Sequence, residues 1–311
     1  MRGAGALLPL PLLALLLGAC VTSPRPQLQP PGSTAASVAA SPGQAREGLR
    51  VATLNMLHGW PCFDSLDERL DLIAAGLQEV GADVVLLQEV PVRAGAPRQA
   101  LPFLAEKLGC AFVYARANGS GAFIGFEEGE AVLSRFPILS WEAHRLRPSP
   151  GPFERRIVLR AALAAGRGPL EVYSVHLSDK ARRGGLRLGQ VQDLIGFVQK
   201  GTRDGGLPAV VGGDFNCAPG SPPYRLFAEA GFTDAAVAAD PPALGPTSGL
   251  ARVRDPGGSM SERIDFLFLS PGPQGPEAVR AWNFLDAPRG SLGAPLWASD
   301  HAGVACDLAF P

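Results

Sequence analysis

The chain has 311 residues, of which 46% are hydrophobic and 18% charged, with 28 Lys+Arg against 29 Asp+Glu. That composition supports a sizeable core and excludes wholesale disorder. A formal net charge of −1 lacks the basic footprint of a dedicated nucleic-acid binder, although it leaves room for a local basic groove.

Met1-Arg2 gives a short positive start, and Leu7 to Leu17 follows as an almost unbroken apolar run. Such a run is too short to span a bilayer and has the layout of a secretory signal over residues 1–19. Leu17-Gly18-Ala19-Cys20 resembles the bacterial lipobox, whose cysteine is acylated and becomes the mature first residue. That resemblance implies an exported protein of the bacterial cell envelope, anchored through Cys20 at a membrane surface rather than across it. A plain secretory signal with an incidental Cys20 is the other reading. Residues 20–48 are rich in Pro, Ser, Ala and Gln without an apolar period, and read as a flexible tether of roughly 30 Å end to end.

One domain is expected from residue 49 to 311, because no internal repeat or second linker interrupts it. Leu49 to Leu57 reads as a strand with Asn55 near its end. Ser65-Leu66-Asp67-Glu68 has capping-box spacing, and Leu66, Leu70, Ile73, Leu77 and Val80 continue it as an amphipathic helix stopped by Gly81. Asp83 to Leu87 is then a buried strand delivering Gln88-Glu89 at its end. A helix over Ala100–Leu108 precedes short strands at 111–115, 130–134 and 157–163. Leu170 to Leu177 forms a strand carrying His176, and Gly184 to Lys200 a helix with Gly201 as its stop. Val210 to Gly213 runs as a buried strand into Asp214-Phe215-Asn216, where period two places Asp214 and Asn216 on one face. A short helix at 223–230, a polar loop at 240–258 and strands at 264–269 and 302–310 complete the domain. Cys62, Cys110, Cys217 and Cys306 allow one or two disulfides in an exported protein, with the pairing open.

The polar residues that interrupt apolar runs are Asn55, Glu89, His176, Asp214 with Asn216, and Asp300-His301. All sit where a predicted strand meets a loop, the place where ligands and catalytic groups gather in sheet-based folds. Carboxylate and amide oxygens of this kind suit Mg²⁺ or Mn²⁺ and a phosphate ester. Taken singly, each has a structural reading too: Asp214 and Asn55 as turn residues, Glu89 as a solvated strand end, Asp265 as an ion-pair partner of Arg263.

In order, Thr53-Leu54-Asn55, Leu87-Gln88-Glu89, Ser174-Val175-His176, Gly213-Asp214-Phe215-Asn216, Arg263-Ile264-Asp265 and Ser299-Asp300-His301 resemble the endonuclease/exonuclease/phosphatase superfamily. Glu130 to Ile138 adds a further family-like segment. The resemblance implies an α/β fold, a four-layer sandwich of two mixed β-sheets packed face to face with helices outside. It also implies a Mg²⁺-dependent hydrolase of phosphate esters, with Mn²⁺ as the alternative ion. On that resemblance Asn55, Glu89 and Asp300 bind the metal, and Asp214 orients or deprotonates the attacking water. Asn216 positions that water or the phosphate. His301, held by Asp265, stabilises developing charge or acts as base. His176 contacts phosphate and can protonate the leaving oxygen, and Arg156 is a weaker candidate for a phosphate clamp. His58 and His144 match nothing in the pattern and read as loop or surface residues.

A nuclease-type phosphodiesterase is the first expectation for substrate, acting as a monomer. Lys180, Arg182, Arg183 and Arg187, with Arg252 and Arg254, are its candidate nucleic-acid track. A phospholipid-headgroup or inositol-phosphate esterase is the alternative, favoured by the acyl anchor and by Trp60 or Trp297 if exposed. An inactive lipid-anchored binding protein is the alternative of another class. A binuclear metallophosphatase lacks its Asp-x-His and His-x-His pairs here, and no Gly-x-Ser-x-Gly elbow supports a serine hydrolase.

Overall fold

The chain is described by a computed structural model covering residues 26–27 and 48–310, except 152–153, 166–167, 180–183, 206, 241–243, 256, 273–274 and 291–294. The leader, Cys20, Lys180, Arg182 and Arg183 lie outside the described residues.

Strands with apolar residues on both faces form the middle of each sheet, as burial on both sides requires. The first sheet contains β1 (Pro26–Gln27), β2 (Leu49–Asn55), β3 (Val84–Arg93), β4 (Ala111–Ser120), β5 (Phe126–Ser134), β12 (Glu277–Phe284) and β13 (Gly303–Ala309). Its order is β1-β4-β5-β3-β2-β13-β12, with β2 and β3 parallel and the other pairs antiparallel. The second contains β6 (Ile138–Arg145), β7 (Ile157–Ala165), β8 (Gly168–His176), β9 (Ala209–Asp214), β10 (Thr233–Asp234) and β11 (Asp265–Leu269). It runs β10-β11-β9-β8-β7-β6, with only β8 and β9 parallel. Both sheets are thus mixed.

Three apolar clusters fix the layers. Val51, Leu86, Val132, Leu159, Val172, Val210 and Leu267 pack between the sheets. On one outer face α1 (Leu66–Val80) and α2 (Ala100–Leu108) bury Leu70, Ile73, Leu77 and Leu104 against Leu54, Leu87 and Leu133. On the other, α3 (Gly184–Gly205) and α4 (Pro222–Glu229) bury Val191, Leu194 and Phe227 against Tyr173, Val211 and Phe266. The expected sandwich of two sheets with helices outside is the observed fold. No helix among the described residues is long and apolar enough to cross a membrane.

Several local expectations change. Ser65 does not cap α1: it sits at φ 52 in the left-handed region, and its side chain makes no capping bond. Its hydroxyl instead donates to Asp64 and accepts from Arg254. The helix begun at Gly184 passes Gly201 and ends at Gly205. β6 and β12, which the apolar pattern does not mark, each form one edge of a sheet, with β10 and β1 at the opposite edges. The four described cysteines are free thiols, with no disulfide among them.

Candidate active site

Six strands of the two sheets deliver polar side chains to one place. Asn55 ends β2, His176 ends β8, Asp214 ends β9 and Asp265 begins β11. Within the second sheet Asp214 is in register with His176 on one side and Asp265 on the other. Asp300 and His301 lie just before β13. Glu89 arrives differently from the expected strand end. The β3–β5 register shifts between Leu87 and Val90, so Gln88 and Glu89 face the single residue Glu130. Glu89 takes φ 52 at this bulge, which re-aims its side chain while the strand runs on to Arg93.

Asp214 is the hub. Its Oδ2 accepts from Asn55 Nδ2 at 3.1 Å, a bond that crosses between the sheets, and lies 3.4 Å from His176 Nε2 and 3.9 Å from His301 Nε2. Its Oδ1 accepts the Asn216 N–H at 2.8 Å, helped by a left-handed Asn216 at φ 49. Asn216 Nδ2 donates to the Leu177 carbonyl. His301 Nδ1 meets Asp265 Oδ2 at 2.9 Å, so Asp265 pairs with the histidine, while Arg263 pairs with Asp234.

Electrostatics separates these groups. Burial pushes the Asp214 carboxyl up to about 7, with the Asp265 charge adding to the shift while His301 opposes it. Burial pulls the His176 imidazolium well below the usual range, and the charges of Arg156 and His301 pull it further. For His301 burial also lowers the value, but Asp265, Asp214 and Asp300 outweigh it and hold the ring protonated well above the ordinary histidine range. The site therefore pairs a neutral histidine with a cationic one across a carboxyl poised near neutrality.

A second group of oxygens lies beside it. Glu89 accepts from Asn55 Nδ2 at 3.3 Å and from the His58 N–H at 3.2 Å. Because His58 Nδ1 accepts the Trp60 N–H, its hydrogen sits on Nε2, 3.6 Å from Glu89. Burial raises the Asp300 carboxyl, and the nearby Glu89 charge adds to it. Asp265 Oδ1 is buried without a hydrogen-bond partner among the described residues. Desolvated acids that repel one another and an orphaned carboxylate oxygen are what a hard divalent cation would relieve, and Mg²⁺ or Mn²⁺ fits this donor set. Asn55, Glu89 and Asp300 form one candidate ligand group. Asp214, Asp265 and His301, whose side-chain donor atoms lie within 4.8 Å of one another, form an adjoining cluster in which protonated His301 supplies the positive charge between the two acids.

Residues 52–301 match the Endonuclease/Exonuclease/phosphatase family. The chain belongs to this family. Its members are hydrolases of phosphate esters and are generally dependent on a divalent metal. The fold is similar to a family protein from Beutenbergia cavernae, at 26% identity and TM-score 0.63, covering 85% of this chain and 72% of that one. A mannosyl-6-phosphatase from Bacteroides thetaiotaomicron is similar at 20% identity and TM-score 0.66, over 84% and 100% of the two chains. The human Nocturnin catalytic domain is similar at 20% identity and TM-score 0.63, over 86% and 96%. No curated protein matches the sequence.

For this family member the structure brings together Asn55, Glu89, His176, Asp214, Asn216, Asp265, Asp300 and His301, whereas Arg254 is held by Ser65 and Glu68 and Trp297 is buried in a separate apolar cluster. Arg156, the weaker candidate, has Nη1 3.0 Å from the His176 ring nitrogens. Three contributors escaped sequence reasoning. His58, read as a loop histidine, touches Glu89. Ser299 donates to the Asn55 carbonyl at 2.7 Å and accepts the His301 N–H, tying the two loops together. Arg69 is fully buried and donates to the carbonyls of Met56, Leu57, Asp64 and Ala298, which bracket Asn55 and Asp300. Its sequence signal is a charged residue directly before Leu70 on the otherwise apolar α1 face. His144, by contrast, pairs with Asp193 away from the site.

Proposed function

We propose that this protein is a divalent-metal-dependent hydrolase of phosphate esters that attacks phosphodiesters, nuclease-type substrates included. The observation that carries the reading is the convergence of Asn55 and Glu89 from one sheet with His176, Asp214 and Asp265 from the other, joined by Asp300-His301. Support for a diester comes from cavities beside both Glu89 and Asn216, which leave room for an ester group on each side of a central phosphate.

A divalent ion held by Asn55, Glu89 and Asp300 would neutralise phosphate charge and ease release of the alkoxide. Asp214, raised toward neutrality, orients the attacking water and takes its proton. Asn216 fixes the geometry of that water through its bonded backbone. His301 holds its proton against Asp265 and faces the phosphate as a cation, a role that favours charge stabilisation over action as base. His176 is held neutral, so it serves as a hydrogen-bond partner of the phosphate rather than as its proton donor. Arg156 supplies a second fixed positive charge.

Bis-p-nitrophenyl phosphate tests this directly. Turnover should require Mg²⁺ or Mn²⁺, stop with EDTA and resume on adding metal back. Asp214→Ala should abolish it while leaving the circular dichroism spectrum unchanged; metal-independent turnover or an active Asp214→Ala protein would overturn the reading. Plasmid DNA is the second substrate to assay. For a nuclease the basic track is the weak point among described residues, because Arg254 is engaged by Ser65 and Glu68 and Arg187 donates to the Ser178 carbonyl. A lipid-headgroup diester is a second reading, favoured by Phe123 and Ile124, which are 76% and 55% exposed beside the Glu89 cavity. We further propose that Cys20 carries an acyl anchor, checked by palmitate labelling that Cys20→Ser should remove.

A further inference from the structure

Next to Glu89 lies a cavity of about 380 Å³ whose walls include His58, Trp60, Asn118, Phe126, Glu128 and Arg156. With Glu89 and Arg156 against the reacting phosphate, as proposed above, one ester group of a phosphodiester would occupy it. Its apolar wall is aromatic. The Phe126 ring stacks with Trp60 at 6.1 Å and meets His58 at 5.3 Å and Phe63 at 5.4 Å. Trp60 is 48% exposed, so a ligand can reach it.

The polar wall is more specific. Glu128 is 5% exposed, and Asn118 Nδ2 donates to its Oε1. Its Oε2 has no hydrogen-bond partner among the described residues. A buried carboxylate oxygen in that state seeks a donor, which can be an ammonium, an amide or a hydroxyl. The surrounding charges choose among ligands. Arg156 lies 3.5 Å from Glu154 and 3.9 Å from Asp179, both of which also line the cavity. A cationic group would be drawn by these carboxylates but would also meet Arg156 and any ion held by Glu89. A polyanion would meet Glu128, Glu154 and Asp179. A neutral ring bearing several hydroxyls meets neither penalty: it can donate to Glu128 and lay its C–H face on Trp60.

We propose that this cavity is the subsite for a neutral, hydroxyl-rich ester group, a sugar or polyol, with Glu128 as the residue that selects it. The proposal rests on the phosphoesterase reading above. Three p-nitrophenyl phosphodiesters that differ only in the second ester group test it: the myo-inositol, choline and thymidine esters. In each, water adds to phosphorus and the bond to the nitrophenolate oxygen breaks, so one absorbance reports all three. With Mg²⁺ or Mn²⁺ the inositol ester should show the largest kcat/KM, by about tenfold or more, because a site built to pair several hydroxyls discriminates against groups that offer one, as thymidine does, or none, as choline does. Glu128→Gln should cut the ratio of inositol to choline kcat/KM about tenfold through KM, and Trp60→Ala, at an exposed position, should lower the same ratio. Preference for the choline or thymidine ester, or equal losses on all three in both variants, would overturn the proposal. Should the protein fail on all three and on bis-p-nitrophenyl phosphate, the hydrolase reading falls instead. Titration calorimetry with myo-inositol 1-phosphate then decides the subsite: it stands if the wild type binds and Glu128→Gln binds about tenfold more weakly, and it falls if the wild type does not bind.

Discussion

His301 stays protonated because Asp265 faces one ring nitrogen at 2.9 Å and Asp214 approaches the other. Replacing Asp265 by Asn keeps the shape but removes the charge that fixes the tautomer and the proton. Asp265→Asn should lower kcat by about 10²–10⁴ with an unchanged fold, and the high-pH limb of the rate profile should move to lower pH. Retained kcat would remove His301 from the mechanism. Arg69 makes a different prediction. It touches no reacting group but holds four carbonyls that position Asn55 and Asp300, and a lysine cannot reach them all. Arg69→Lys should cost about 2–3 kcal/mol in urea unfolding and raise the metal concentration that gives half-maximal activity. Residues with a chemical signature, such as Asp214 before Asn216, were legible in the sequence. Arg69, His58 and Ser299 were not, because their work is done through backbone groups that no side-chain pattern records.

Elements carry the next level. The bulge in β3 places Glu89, and opposite it β5 carries Glu128 and Glu130 into the interior. Glu130 is buried and accepts from Ser174 Oγ at 3.3 Å; Ser174 also receives Gln88 Nε2 at 3.0 Å, so β3, β5 and β8 share a polar thread beneath the site. Burial, then the Glu128 charge, raises the Glu130 carboxyl well above its ordinary range. A carboxyl raised in the folded state binds its proton more tightly there than in the unfolded chain, so its contribution to stability falls as pH rises from the ordinary glutamate value to the raised one. Glu130→Gln removes that penalty. Its Tm should exceed the wild type's at pH 8, with the gap closing toward pH 4; a lower Tm at pH 8 would show Glu130 ionised and paired. The bulge itself was illegible, because Leu87-Gln88-Glu89-Val90 reads equally as a strand ending, and only pairing with β5 shows that it continues. Ser65 is the converse case: its spacing suggested a cap, but the tight turn from Gly59 to Leu66 puts it in a conformation that cannot provide one.

At the scale of the whole molecule, the buried middle strands were visible as apolar runs and the sandwich followed from six short motifs in order. The missed strands β6 and β12 are edges, where charged and half-exposed residues such as Glu142 and Arg280 blur the alternation. The chain builds the first sheet, leaves it at Ile138 to complete the second, and returns at Glu277. Shortening the protein to residues 48–311 should leave Tm within about 2 °C, since among the described residues the apolar clusters draw only on positions after 48 and the deletion removes from the sheets just the two-residue edge strand β1. The bond from Asn55 to Asp214 makes turnover a gauge of the spacing between layers. A slip of one ångström between them would pull the water-activating carboxyl away from the groups that face it long before either sheet frays. In graded urea, catalysis should therefore fade ahead of the far-ultraviolet signal, and coincident loss would mean that the layers part only when they melt.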